Sequence, residues 1–413
     1  MKAIENRARG SAAQHQGGAL NKGNTESHAK KQSGWQTKKF GEVLEIRNGR
    51  NQREVESADG QFPIYGSAGN VMGMATDYIC EAGTTIIGRK GNINSPIYAD
   101  TRFWNVDTAF GLTAKACMNS RFLYFFCLSY DFSAHNRGTT IPSLVKSELL
   151  NIPIPVPPLP EQQRIIGLLD EAFEGLATAK ANAETNLQNV RALFESHLQS
   201  VFTQRGPRWV ETTIGELCDI KHGYAFDGAD FSNDVPEGNP LVVTPGNFTE
   251  DGKLLFNERN TKRFSGSTPA GFQFDIGDLV VVMTDLSSKM KILGKPAFVE
   301  TDDVLHNQRI GRLVFSTDRV EKRLLYYFMM TEGFLKNIKM SSTGTMVKHT
   351  APKRIMSNVI PFPANRKEQR AIVTKLDDLR EETQRLARLY EQKLAALGTL
   401  KKSLLNQAFT GEL

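Results

Sequence analysis

Trp35-Gln-Thr-Lys-Lys-Phe-Gly41-Glu42-Val43-Leu-Glu-Ile46-Arg-Asn-Gly49 returns later in the chain as Trp209-Val-Glu-Thr-Thr-Ile-Gly215-Glu216-Leu217-Cys-Asp-Ile220-Lys-His-Gly223, with Trp, Gly, Glu, Ile and Gly in register. A second block behaves the same way. Glu161-Gln162-Gln-Arg-Ile165-Ile-Gly-Leu-Leu169-Asp170 matches Glu368-Gln369-Arg-Ala-Ile372-Val-Thr-Lys-Leu376-Asp377, and the offset holds without a gap to Phe202-Thr203 and Phe409-Thr410. Self-similarity at this level marks a tandem duplication in the order globular segment, helix, globular segment, helix.

The helical segments carry the clearest periodicity. Ile166, Phe173, Leu187, Phe194 and Val201 share one heptad position, and Leu169, Leu176, Ala183 and Val190 share the other. Leu376, Leu379, Leu386, Leu389, Leu397, Leu400 and Leu404 repeat the pattern in the C-terminal copy, where Gly398 is the weak spot. Each segment predicts a rod of roughly 65 Å, at about 1.5 Å per residue. A seam this apolar does not stay in water, so the two rods are expected to pair as an intramolecular antiparallel coiled coil. The fold class expected is α+β: two mixed α/β domains separated by two long helices, a tandem pseudo-repeat. The boundaries read as a disordered basic tail over 1–34, a first globular domain over 35–155, a Pro connector and long helix over 156–207, a second globular domain over 208–362 and a C-terminal long helix over 363–413. Pro153, Pro155, Pro157, Pro158 and Pro160 predict a stiff extended connector, because proline fixes φ and lacks a donor.

The 413 residues carry a formal charge of +6. Residues 1–34 hold six basic and two acidic residues and so account for four of those charges, which leaves the rest nearly neutral. Net charge is therefore weak evidence for nucleic-acid binding. The tail reads either as a DNA-tethering arm or as a start-site artefact. Cys80, Cys117, Cys127 and Cys218 form no CxxC pair and the seven histidines no HxxH spacing, so neither a disulfide framework nor a metal site is expected. No long apolar run or signal-like N-terminus occurs, which predicts a cytoplasmic protein with no membrane association.

Beyond the repeat, Pro63-Ile-Tyr-Gly-Ser-Ala-Gly69, Gly138-Thr-Thr-Ile-Pro and the Pro153-Ile-Pro-Val-Pro-Pro-Leu-Pro-Glu-Gln run into a long helix make the chain resemble the specificity subunits of type I restriction-modification systems. The resemblance covers essentially everything after the tail. It implies two target-recognition domains, each reading one half of an asymmetric, bipartite double-stranded DNA site, with the helices setting the spacing. It also implies a non-catalytic chain whose partners supply the chemistry: two methyltransferase (modification) subunits, which use S-adenosylmethionine, and restriction/translocase subunits, which use ATP and Mg. The second copy departs at Pro361-Phe-Pro-Ala-Asn-Arg-Lys before Glu368, where the elbow into the helix is expected to differ.

DNA contacts are expected where basic residues, amides and glycines gather in loops: Arg47, Asn48 and Arg50; Arg89, Lys90 and Asn92; Arg137, Thr139 and Thr140; Lys221, His222 and Tyr224; Asn307 and Arg309; Thr343, Thr345 and Lys348. Arg and Lys hold phosphates or read guanine, Asn pairs with adenine, and Gly-Thr loops offer N–H and hydroxyl groups to phosphate. The recurrence of Arg47–Gly49 at Lys221–Gly223, and of Gly138-Thr139 at Gly344-Thr345, points to phosphate contact there, since a shared feature cannot distinguish two half-sites. No Asn-Pro-Pro-[Tyr/Phe], Asp-Pro-Pro-Tyr or GxxxxGK[ST] motif occurs. A coiled-coil scaffold or interaction protein without sequence-specific DNA function would account for the helices but not for globular segments that diverged inside an unchanged frame.

Overall fold

The computed structural model describes residues 34–67, 69–232 and 238–413. Apart from Gly34, the expected tail lies outside the described residues. The chain forms two compact units, one running to Thr178 and joined by Leu397–Leu413, the other spanning Ala179–Ala396.

Both units are built on one plan. In the first, an antiparallel sheet orders its strands Leu44–Asn48, Ala109–Ala114, Thr84–Gly88, Ile97–Ala99. In the second, Cys218–His222, Ile310–Phe315, Leu279–Val282 and Pro296–Phe298 repeat that order and sense. A smaller sheet follows in each. Phe62–Tyr65 lies parallel to Trp104–Asn105 and antiparallel to Val71–Ala75. Leu241–Val243 likewise lies parallel to Val304–His306 and antiparallel to Arg263–Phe264, with Phe231–Ser232 and Gln273–Phe274 added at the edges. Two halves that match poorly in sequence beyond their ends therefore share their topology, because sheet order is set by which apolar faces must be buried and tolerates many different side chains.

The two repeated sequence blocks meet in space. Gln36–Lys39 pairs antiparallel with Pro153–Val156, and Trp209–Thr213 with Val359–Pro363. The first part of the expected stiff, extended proline connector, Pro153–Val156, is thus an edge strand, a position proline tolerates because one side of the strand needs no donor. Ile154, Val156, Ile360 and Phe362 point into the cores.

The long helices span Leu159–Thr203 and Arg366–Thr410. Pro160 is harmless in the first turn, whose N–H groups have no helical acceptor. In the first unit Leu405 and Ala408 pack in one cluster with Ile165, Ile166 and Leu169. In the second, Leu198 and Phe202 share a cluster with Leu376, and Arg191 donates to Glu391 at 2.8 Å. In each unit the early turns of one helix meet the late turns of the other, which makes the pairing antiparallel. Leu389 and Leu400 depart from the expected seam: they are 51% and 47% exposed, whereas Thr383 and Ala408 are buried. A straight 3.6-residue helix drifts off a 3.5-residue repeat, so leucines at heptad spacing need not all face one partner.

One buried glutamine fastens each helix to its domain. Gln162 donates from Nε2 to the carbonyls of Cys117 and Pro157 and accepts the Asn119 N–H at Oε1. Gln369 donates to the carbonyls of Arg319 and Pro363 and accepts the Glu321 N–H. Both are fully buried. The elbow expected to differ in the second copy is therefore built alike, with Asn365 capping the helix through its Oδ1 to the Lys367 N–H. Beside each glutamine an arginine of the domain reaches a helix aspartate: Arg121 to Asp170 and Arg323 to Asp377.

Candidate nucleic-acid interface

At one end of the four-stranded sheet in each unit, a chain of backbone hydrogen bonds ties the loops together. In the first unit the Gly49 and Arg50 N–H groups donate to the carbonyls of Ala109 and Asn105, those of Arg89 and Lys90 to Thr108, and that of Gly91 to Pro142. In the second, the Tyr224 N–H donates to His306, that of Met283 to Arg309, and that of Thr350 to Met283. All six sequence-predicted clusters are thereby brought together, three in each unit: Arg50 with Arg89–Asn92 and Arg137–Thr140, and Tyr224 with Arg309 and the 343–349 loop.

Glycine is required where the loops leave the first strand. A Cβ on Gly49 would lie 1.8 Å from the Val106 carbonyl oxygen, and one on Gly223 2.3 Å from those of His306 and Asn307. The repeated Gly49 and Gly223 are thus contacts of backbone on backbone. The turn that each glycine packs against is braced by a buried polar side chain. Asn105 donates from Nδ2 to the Ala109 carbonyl at 3.2 Å, and His306 Nε2 lies 2.8 Å from that of Ile310. Burial pushes the His306 pKa down to about 4, so at neutral pH the ring is uncharged and serves as an Nε2–H donor.

That shift carries a sign. Between about pH 6.5 and 4 the unfolded chain binds a proton on His306 that the folded chain excludes, so stability should fall as pH is lowered through this window. The loss attributable to His306 is on the order of 3 kcal/mol at most, from a shift of about 2.5 pH units. The variant His306→Asn, which copies the amide at the equivalent position of the first unit, should flatten the stability profile over that range. Denaturant titrations at pH 4.5 and 7 check it.

The predicted residues differ in how they are held. Asn48, Arg50, Lys90, Asn92, Thr139 and Thr140 are exposed in the first unit, and Lys221, His222, Tyr224, Arg309, Thr343 and Thr345 in the second. Arg47 is engaged by its own domain, donating to the Ile79 carbonyl at 2.9 Å. Arg89 donates to the Asp107 carbonyl at 3.2 Å. Arg137 is clamped by the Glu148 carboxylate at 2.8 and 3.0 Å, and that hydrogen bond holds the Glu148 carboxyl below its ordinary range. Lys348 reaches the Gly344 carbonyl at 2.8 Å. Asn307 requires correction as a surface contact: it is 4% exposed, and its Oδ1 accepts the Arg309 N–H at 3.1 Å, so its amide builds the turn.

Sequence reasoning passed over Asp107–Thr108, which closes the first unit's loop cluster, and Leu286–Lys289, which continues the strand opposite Lys348. Only the register of the pairing reveals them. Among the described residues no group of three or more His, Cys, Asp or Glu side chains could hold a metal ion, all four cysteines are free, and no helix is long and apolar enough to cross a membrane.

The family model described as type I restriction modification DNA specificity domain matches twice, over residues 32–186 and 207–392. The type I restriction enzyme MjaVIII specificity subunit of Methanocaldococcus jannaschii is 24% identical over 351 residues, covering 80% of this chain and 76% of the relative. The EcoDI specificity subunit of Escherichia coli is 20% identical and covers 92% and 88%. Among solved structures, one from work on complex assembly and conformational transition of the type I R-M system superposes with a TM-score of 0.71 at 20% identity, over 92% of this chain and 99% of that one. The HsdS subunit from Thermoanaerobacter tengcongensis gives 0.55 at 20% identity, over 92% and 98%. With one backbone frame used twice, polar loops gathered at one end of each copy and the family model matched over both, the chain belongs to the type I restriction-modification specificity subunits, non-catalytic proteins that recognise DNA sequence and leave the chemistry to partner subunits.

Proposed function

We propose that each unit reads one half of an asymmetric bipartite duplex target through its loop cluster, and that the long helices fix the spacing between half-sites and dock two modification subunits. The observation that carries this reading is the contrast between frame and face. Equivalent positions of the two loop clusters, matched by their backbone hydrogen bonds, hold different side chains: Arg50 against Tyr224, Thr108 against Arg309, Arg137 against Thr343. Two readers with one backbone and different donor and acceptor sets are suited to two different half-sites. Docking along the helices is supported by large apolar side chains on their outer faces, Leu168 at 42% and Leu193 at 54% exposed on the first helix, besides Leu389 and Leu400 on the second. S-adenosylmethionine, ATP and Mg then belong to the partner subunits.

Exchanging residues 35–155 for the matching segment of a relative with a different target should change one half of the methylated sequence and leave the other intact. Methylome sequencing of cells carrying the hybrid with its modification subunit reads this directly, and simultaneous change in both halves would argue against independent readers. The complex should purify with two modification subunits per specificity chain. Lys221, exposed at the strand end, should act on phosphate: Lys221→Ala weakens binding to all sequences alike and lowers the slope of log affinity against log salt by about 1.

A further inference from the structure

The loop clusters carry a feature that polar readout does not use. Each unit has a tight turn, Gly138–Ile141 in the first and Gly344–Val347 in the second, and in both the glycine admits no side chain. Its Cβ would lie 1.8 Å from the Ile141 carbonyl oxygen, or 2.0 Å from that of Val347. Both turns are pinned at the base. Asn136 Oδ1 accepts the N–H groups of Gly138 and Ser143 at 2.8 Å each. In the second unit Thr343 and His349 exchange backbone bonds of 3.0 and 2.9 Å, and His349 Nδ1 lies 3.0 Å from Thr284 Oγ1. At the tips of these braced turns stand Ile141, 60% exposed, and Met346, 80% exposed and followed by Val347; Leu286, 60% exposed, comes one residue after Asp285, which pairs with Lys348. A lysine stands at each turn: Lys90 forms a backbone bridge with Ser143 at the base of the first, and Lys348, whose ammonium donates to the Gly344 carbonyl, follows Val347 in the second.

We infer that the two turns are wedges that enter duplex DNA, Ile141 at one half-site and Met346 with Val347 at the other, each pushing apart a base step and kinking the helix. This rests on the reading of the loop clusters as the DNA-facing ends of the two units. An exposed apolar tip surrounded by hydroxyls and cations suits a partner that offers phosphate outside and base faces inside. Ile, Met, Leu and Pro are the side chains that architectural proteins insert between base steps. Unstacking a step is costly, and a floppy turn would bend away instead of holding it open; the paired strands and the glycine close the turn against that. Base steps that unstack easily, pyrimidine–purine above all, would be preferred at the wedge although no donor or acceptor reads them.

The test uses the full chain in complex with its modification subunits and a duplex bearing the methylated target, with a fluorescence donor and acceptor at its ends. Wild-type complex should shorten the end-to-end distance relative to free duplex. Ile141→Ser, and separately Met346→Ser with Val347→Ser, should each recover part of the length and weaken binding about tenfold with an unchanged salt slope, while Ile141→Leu keeps the bend. An abasic site at the wedged step, which removes the stacking to be broken, should restore affinity to the serine variants. A straight duplex in the wild-type complex, or a bend untouched by the serine variants, would overturn the wedge. The underlying reading fails in a different way: if Lys90→Ala and Lys348→Ala leave affinity and salt slope unaltered, these loops do not face DNA at all.

Discussion

Replacing Gln162 or Gln369 by leucine should lower the stability of the unit concerned by about 3 kcal/mol or more, a larger loss than any exposed loop substitution. Each amide satisfies one backbone N–H and two backbone carbonyls at the junction between domain and helix. Leucine fits the volume but returns nothing, and a buried polar group left without a partner costs about 1–3 kcal/mol. The loss should appear in a denaturant titration as a lower midpoint. Amide hydrogen exchange should accelerate at Asn119 in one variant and at Glu321 in the other, without spreading to the opposite unit. A midpoint unchanged from wild type in both variants would mean that water replaces the amide at no cost. Because the glutamine also sets the angle at which the helix leaves its domain, methylation should suffer more than the stability loss alone explains.

Gly49→Ala and Gly223→Ala should be comparably severe. The new methyl group would overlap backbone carbonyl oxygens, and no flexible side chain is present to yield. The loop must therefore move as a whole, at a cost of about 3 kcal/mol, at the upper end of overpacking effects. Displacing Arg50 or Tyr224 with it should weaken DNA binding in the affected half-site. Asn48→Ala, next in sequence but exposed, provides the contrast and should change stability by no more than about 0.5 kcal/mol. Thermal midpoints of the three variants, measured side by side with affinity for the target duplex, decide between a packing constraint and a simple surface position.

The repeated blocks were legible in the sequence for a reason that the structure explains. Trp35–Glu42 with Pro153–Val156, and Trp209–Glu216 with Val359–Pro363, are the paired edges that close each unit, and the Glu-Gln blocks anchor the helices. Ile46 and Ile220 in the first block and Gln162 and Gln369 in the second are buried against partners of fixed geometry, so these residue types recur. The loop clusters were legible only as local concentrations of polar residues. Local composition does not separate Asn307, buried as a turn brace, from Asn48, exposed at a strand end, since the difference lies in how the following residues turn back onto the sheet. Nor does it separate a free cation from one already spoken for, as Arg137 is by Glu148.

By itself the sequence determined the duplication and the two long helices with their apolar seams, because periodicity and internal offset are properties of a linear string and the physics that reads them is local. The antiparallel pairing expected from it is seen in the contacts of Leu405 with Ile165 and of Leu198 with Leu376. Tertiary structure alone decided three things. It gave the two poorly matching globular segments one sheet order, since topology follows from burying apolar faces that many sequences can supply. It turned the proline run into an edge strand, since only a partner strand defines an edge. It also gathered loops far apart in the chain, 49–53, 89–92 and 137–143, at one end of a sheet, since hydrogen-bond register, and not proximity in sequence, fixes which loops become neighbours.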